Sequence, residues 1–313
     1  MTRPQTPLRV PGYQVVEYLG KGARSTIWRV RERNRNRHYA LKRVYKLEGD
    51  DDRYFQQAIN EFHIARQFDH PALRKYYRLR RIRRWFRTSE LHLFMELCEG
   101  QSCQAERPVE IDEIMRIFLQ VADALVHMHA RGYIHADIKP NNIIVARDGT
   151  VKIIDFGQSC PVGTIKERIQ GTPDFIAPEQ VYCRPLDVRT DVFNFGASLY
   201  WTLTGKAIPT VLPKNASGVQ LRDDLRFSPP EEINPHVPLA LSRLVVDCIE
   251  LNPTRRPKSM KEVLGRLDLI AHSLHRSSDG PPSPDQDQAE PQAGGDDVIH
   301  PPAERPVNGS EQP

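Results

Sequence analysis

The chain has 313 residues, 27% of them charged and 39% hydrophobic, with a formal net charge of +4. That length and balance suit one large domain or two lobes with a substantial core, and exclude a wholly disordered chain or one built of membrane spans. The charge is uneven: residues 276–313 carry −6, which leaves about +10 on the rest. Five cysteines, at 98, 103, 160, 183 and 248, show no C-x-x-C spacing and read as free thiols of a reducing compartment. The first seven residues contain no apolar run, so no secretory signal is expected, and no stretch reaches the roughly 20 apolar residues of a membrane span. A cytoplasmic protein with no membrane partner is the expectation.

Residues 13–30 alternate in polarity on both sides of Gly20-Lys21-Gly22, which predicts two strands joined by a glycine-rich turn. Glycine lets backbone amides approach an anion closely, although the motif alone marks a plain hairpin turn equally well. Residues 38–44 form the next strand and carry Lys42, taken alone a solvated charge. A helix is predicted over 54–68, ended by His70 and Pro71. Then come Arg74, Lys75, Arg78, Arg80, Arg81, Arg83, Arg84 and Arg87, alternating with Leu79, Ile82, Trp85 and Phe86. This fits two strands sharing one basic face. The face is either simply solvated or a docking surface for an acidic partner, and the chain's own acidic tail is one candidate. Nucleic acid is disfavoured, because charge density alone carries no sequence readout. Residues 91–100 form a strand running into a break at Gly100.

Ile114, Phe118, Val121, Leu125 and Met128 recur at helical spacing, which predicts a helix over 112–130 stopped by Gly132. His127 and His129 on that helix lack further metal ligands and read as structural or solvated. Next, two short β-branched runs, Ile143–Val145 and 151–154, flank Asp148-Gly149, a strong hairpin signal. The hairpin presents Asp137, Lys139 and Asn142 on one loop and Asp155 on the other. Carboxylates and an amide held together suit Mg²⁺, which takes oxygen ligands and shares them with substrate phosphates. A spare carboxylate beside them can accept a hydroxyl proton. Residues 192–203, the longest apolar run, are interrupted by Asn194 and Gly196 and read as a buried helix. Residues 205–235 form a polar, proline-containing connection with no readable role, and 260–274 an amphipathic helix. The segment from 276 onward is rich in Pro, Gly, Ser and Gln, cannot offset its ordering entropy by burial, and is expected to be disordered.

The stretch 135–157 resembles the catalytic loop and DFG segment of protein kinases. The family pattern H-R-D-x-x-x-x-N followed by D-F-G stands here as His135-Ala136-Asp137, Asn142 and Asp155-Phe156-Gly157. Gly20, Lys21 and Gly22 then match the start of the family's phosphate-covering G-x-G-x-x-G-x-V loop, with Ser25 for the third Gly and Ile27 for Val. Lys42, two residues after Ala40, matches the strand lysine, and Glu61 its helix partner. Thr172 with Ala177-Pro178-Glu179 matches the end of the activation segment. Residues 191–196 match D-x-W-x-x-G with Phe193 for Trp, and Arg256 the arginine that pairs with Glu179. The resemblance covers about 13–274 and is closest to bacterial eukaryotic-like serine/threonine kinases, from which tyrosine kinases differ at Lys139 and Thr172.

The resemblance implies an α+β, bilobal kinase fold: an extension over 1–12, an antiparallel β-sheet lobe with one key helix over 13–98, a mainly helical lobe over 99–274, and the tail over 275–313. It implies ATP and Mg²⁺, with Mn²⁺ as an alternative ion, and protein substrates with Ser/Thr acceptors. Asp137 would take the acceptor proton, Lys139 stabilise the transferring charge, Asn142 and Asp155 hold metal, and Lys42 and Glu61 orient phosphates. Gly20, Lys21, Gly22, Ile27, Ala40, Met95, Glu96, Cys98 and Ile144 would form the nucleotide site, Glu96 and Cys98 through backbone groups. Three departures stand out. Ala136 replaces an arginine that binds activation-loop phosphate in many kinases, so an Arg-read phosphate on Ser159, Thr164 or Thr172 is not expected to gate activity. Asn141 gives no argument for basic substrates. Ala65 is small for its place, and Tyr76 is expected to fill the gap. The alternatives are a pseudokinase scaffold with a basic docking face and a small-molecule kinase.

Overall fold

The computed structural model describes residues 8–22, 24–47, 52–209 and 227–278. Alternating side chains send β1 (Tyr13–Lys21), β2 (Ser25–Glu32), β3 (His38–Tyr45), β4 (Tyr76–Arg84) and β5 (Arg87–Met95) into one antiparallel sheet, in the order β1-β2-β3-β5-β4. One face packs on α1 (Arg53–Ala65), which buries Phe55, Ala58, Phe62 and Ala65 at helical spacing. The other face closes over Tyr13, Val30, Tyr39, Leu41 and Phe94.

Two sequence expectations are corrected in this lobe. The helix ends at Ala65 rather than at 68, well before His70 and Pro71. Gln67 N–H donates to Ile64 O at 2.9 Å, a tightened turn that releases Phe68 into the core against Tyr133 and Phe156. Residues 73–87 do not form two strands with one basic face. They hold β4 and only the first residue of β5, and Trp85-Phe86 is the turn between the paired Arg84 and Arg87. Arginines leave both faces of β4: Arg80 lies over the rings of Tyr13 and Phe94, whereas Arg81 faces Leu91 on the opposite side. Arg74 is not on that surface at all. Leu73 bridges Ile153 and Arg74 N–H donates to Ile153 O at 3.1 Å, which turns the Arg74 side chain inward.

Beyond β6 (Gln101–Ser102), the larger lobe is helical. It comprises α2 (Ile111–His129), β7 (Tyr133–Ile134), the hairpin β8 (Ile143–Val145) and β9 (Val151–Ile153), β10 (Cys160–Pro161), α3 (Pro178–Val181), α4 (Val188–Thr204), α5 (Pro230–Ile233), α6 (Leu239–Cys248) and α7 (Met260–Ser278). The arrangement is the bilobal α+β architecture the resemblance implies. The β8–β9 turn is held as Asp-Gly predicts: Asp148 Oδ1 accepts from Thr150 N–H at 2.9 Å and Gly149 adopts φ +80°. The apolar run 192–203 lies in α4, capped by Asp187 and Gly205 and buried on nearly every side. Gly196 permits its close approach to α6, since a Cβ there would sit 2.5 Å from Cys248 Cβ.

The α7 helix runs four residues past the predicted 274. Residues 210–226 of the 205–235 connection, and 279–313 of the tail, lie outside the described residues, as do residues 1–7 of the N-terminal extension. The five cysteines are unpaired. Among the described residues no helix is long and apolar enough to cross a membrane, and no cluster of three or more His, Cys, Asp or Glu is placed to hold a metal ion.

Candidate active site

A cleft of about 410 Å³ lies between the lobes, within the size range of small-molecule sites. Gly20, Lys21, Gly22, Ile27, Lys42, Met95, Asn142, Ile144 and Asp155 all line it. Asp137 opens on the adjoining recess with Lys42, Glu61 and Asp155. Three expected nucleotide contacts are not among the lining residues. Ala40 is fully buried, paired across the sheet with Met95. The Glu96 carboxylate is drawn outward to Lys152 Nζ (2.7 Å) and Lys75 N–H (3.0 Å). The Cys98 thiol accepts from Arg74 Nε at 3.3 Å. The Glu96 N–H is already donated to Lys75 O.

On the sheet side, Lys42 Nζ donates to Glu61 Oε2 at 2.7 Å and stands 3.6 Å from Asp155 Oδ1. Burial works against the Lys42 ammonium, but Glu61 and then Asp155 outweigh it and hold its pKa above the ordinary lysine value. Burial raises the Glu61 pKa, opposed by Lys42 and by a hydrogen bond from Tyr76. That bond, Tyr76 Oη to Glu61 Oε1 at 2.6 Å, is buried. Tyr76, buried in the same core as Ala65, thus supplies a donor that the sequence did not reveal. Lys42 lowers the Asp155 pKa, against burial.

The loop on the other side is held from below. His135 N–H and Ala136 N–H donate to Asp191 Oδ2 and Oδ1 at 2.8 and 2.7 Å, and His129 Nε2 lies 2.8 Å from the same carboxylate. Burial raises the Asp191 pKa, but His129 and the loop amides overturn this and hold it below the ordinary carboxylate value. His129 is therefore a structural partner. These bonds restrain Ala136 at φ +59°, a left-handed conformation that a non-glycine residue adopts at a cost.

Asp137 Oδ2 accepts from Lys139 Nζ at 2.7 Å and its Oδ1 from Thr172 Oγ at 3.0 Å, while Lys139 also donates to Thr172 Oγ at 2.6 Å. Asn142 Nδ2 donates to the Asp137 carbonyl at 2.9 Å, so its own amide oxygen is spared. The two sides are joined by a column of rings: Tyr76 meets Phe156 edge-on at 5.8 Å, and Phe156 meets His135 at 5.6 Å. Gln57 on α1 adds a second tie by donating to Gly157 O at 3.0 Å. Gln57 and Arg74 carry no distinguishing sequence signal, one being a helix-surface amide and the other the start of a basic run.

Away from the cleft, α3 is tied down by a buried ion pair, Arg256 to Glu179, with nitrogen–oxygen distances of 2.8 and 3.0 Å. Both charges are desolvated, and the two-point geometry with further carbonyl acceptors makes the pair tolerable.

A family model described as protein kinase domain matches residues 13–266. Among curated relatives, a probable serine/threonine-protein kinase of Clostridium acetobutylicum is 26% identical over 270 residues, 83% of this chain and 40% of that protein. A counterpart in Clostridium perfringens is 27% identical over 290 residues, 88% of this chain and 41% of that protein. Sperm motility kinase 2B of Mus musculus is 32% identical over 215 residues, 66% of this chain and 42% of that protein. The alignments thus span about two fifths of the length of these relatives.

Proposed function

The chain belongs to the protein kinase family, and on that premise we propose that it transfers the γ-phosphoryl group of ATP to serine and threonine hydroxyls of proteins. The observation that carries the proposal is the triangle of Asp137, Lys139 and Thr172, within hydrogen-bond reach of one another beside a cleft that holds Lys42 and Asp155. Asp137 accepts the proton of the acceptor hydroxyl, and Lys139 offsets charge on the transferring group. Thr172 holds both in register. Lys42, fixed by Glu61, orients phosphates beneath the Gly20-Lys21-Gly22 turn, in which the Gly22 N–H is held by Ser25 O at 2.8 Å. Positioning and electrostatics dominate such a reaction, with little covalent work left to the protein.

The cleft fits Mg²⁺ by its donor set. The spared amide oxygen of Asn142 and the Asp155 carboxylate are hard oxygen ligands on one cleft wall, and phosphate oxygens and water would complete the shell. Bound there, the ion would neutralise phosphate charge. Ile27, Met95 and Ile144 form an apolar slot for the base, and the Glu96 carbonyl and Cys98 N–H, which follow Met95 along the chain, would bond its edge. The lobes divide near Glu96–Gly100, in keeping with domains over 13–98 and 99–274.

Activity does not depend on an activation-loop phosphate read by arginine. Ala136 has no side-chain donor and its N–H is held by Asp191, and backbone bonds support the segment instead: Gly163 N–H to Leu186 O (2.8 Å), Leu186 N–H to Thr164 O (3.0 Å) and Val162 N–H to Gly132 O (2.9 Å). The pseudokinase alternative is not favoured, because each phosphate- and metal-handling position is filled. A cytoplasmic location and an anionic partner outside the cleft, on the β4–β5 arginines, complete the proposal.

The test is incubation with Mg²⁺, labelled ATP and casein, beside an Asp155→Ala control. Label on casein or on the protein itself, lost in the control by at least about 10²-fold, supports the proposal. Mg-ATP-dependent thermal stabilisation without any label supports a nucleotide-binding scaffold instead.

A further inference from the structure

The β4–β5 hairpin carries features that catalysis does not use. Its two-residue turn is Trp85-Phe86, and the side chains are 88% and 98% exposed, the most exposed large apolar groups among the described residues. Two-residue hairpin turns favour Gly, Asn or Asp where φ is positive. Here Trp85 holds φ +57° instead, so a strained position displays an indole to solvent. Behind the tip stand Arg78, Arg81, Arg83, Arg84 and Arg87, none of which forms an ion pair among the described residues. No carboxylate occurs between Asp69 and Glu90, and Glu90 is committed to Arg43 and His92. Other arginines of the same sheet do have acceptors, as Arg29 has Glu99 and Arg31 has Gln14.

We infer that this hairpin docks on an anionic lipid surface, with Trp85 and Phe86 entering the headgroup boundary and the flanking arginines binding lipid phosphates. Two observations favour lipid over an acidic protein. The apolar element is a protruding tip rather than a groove, and the interfacial layer of a bilayer accepts an indole or phenyl ring without a matching slot. The arginines leave both faces of β4, so a partner on one face meets only part of the charge, whereas headgroups surround an inserted tip. The arginine forks would then bind the lipid phosphates, although they suit carboxylates equally well. No membrane-spanning helix is needed for such contact. The surface lies outside the cleft, and the proposal stands or falls independently of phosphoryl transfer.

The experiment is co-sedimentation of the full chain with vesicles of phosphatidylcholine alone and of a phosphatidylcholine–phosphatidylserine mixture, with Trp fluorescence read in parallel. Binding to the anionic vesicles, weakened by salt, is expected, with a blue shift that Trp85→Phe removes although Trp28 and Trp201 remain. Trp85→Ser with Phe86→Ser should weaken partitioning at least about tenfold. Arg81→Ala, Arg83→Ala and Arg84→Ala together should weaken it roughly 10²-fold, at about fivefold per arginine near such a surface. All of these positions are exposed, so thermal stability and phosphoryl transfer should not change. Failure to bind anionic vesicles overturns the inference, as does binding that the serine variant leaves intact. Preferential binding of poly-glutamate or a single-stranded oligonucleotide at the same salt also overturns it, in favour of an acidic protein or nucleic acid.

Discussion

Tyr76→Phe isolates the hydroxyl that donates to Glu61 while leaving the ring against Phe156. Glu61 is only 2% exposed, and burial already pushes its pKa up. Without the phenol, Lys42 alone supports the carboxylate, and one of its oxygens is left buried without its donor. Losing a hydrogen bond to a buried charged group costs about 1.5–3 kcal/mol. If most of this falls on the Lys42–Glu61 pair in the working state, kcat/KM for ATP drops about ten- to hundredfold. The sign of the pH effect follows from the same bond. The phenol favours the Glu61 anion, so its removal raises the Glu61 pKa, and activity that needs the anion is lost at higher pH than in the wild type. Steady-state kinetics with varied ATP, across the acid limb, reads both effects. An unchanged acid limb and unchanged kcat/KM, with lowered thermal stability alone, would refute this reasoning and leave Tyr76 a packing residue.

Gly196→Ala places a methyl group 2.5 Å from Cys248 Cβ at the α4–α6 contact, and should cost about 1–3 kcal/mol in denaturant unfolding. Thr164→Ala should retain most of the phosphoryl-transfer rate, since Ala136 offers a phosphate no side-chain donor; abolition of activity rescued by Thr164→Glu would contradict this. Asp191 and Asp155 have lowered pKa values, so each contributes stability that is complete above the unfolded carboxylate pKa of about 4 and is lost as pH falls through the lower native values. Glu61, raised by burial, contributes with the opposite sign. Resistance to urea unfolding should therefore fall below about pH 4, and Asp191→Asn should flatten part of that fall.

The parts of the site legible in the sequence are those set by local geometry or by spacing along the chain. Asp148-Gly149 between β-branched runs forces the β8–β9 hairpin, and with it the two loops that carry Asp137, Asn142 and Asp155. The α4 run needed only its interruptions at Asn194 and Gly196 to be read as a buried helix. What stayed hidden depends on contacts between distant segments. Arg74 reads as one more member of a basic run until the Leu73–Ile153 bridge turns it into the cleft. The early end of α1 reflects the pull of Tyr133 and Phe156 on Phe68, which helix-stop signals at His70 and Pro71 cannot convey. Trp85 and Phe86 are large apolar residues in a strand-like run without Gly, Pro, Asn or Asp, so nothing local marked them as a turn. The Tyr76 hydroxyl was hidden because size alone suggested only a filler for the space beside Ala65.

The central claim is a division of labour across the cleft, with Lys42 and Asp155 acting on the nucleotide and Asp137 on the acceptor hydroxyl. The most direct measurement compares Asp137→Asn with the wild type for Mg-ATP binding, by calorimetry, and for phosphate appearing on serine or threonine, by mass spectrometry. The account predicts nucleotide affinity within a few-fold of wild type and transfer reduced about 10²–10⁴-fold, the usual contribution of a positioned general base. Transfer by Asp137→Asn at the wild-type rate, or a wild type that binds Mg-ATP and phosphorylates no hydroxyl, would contradict it.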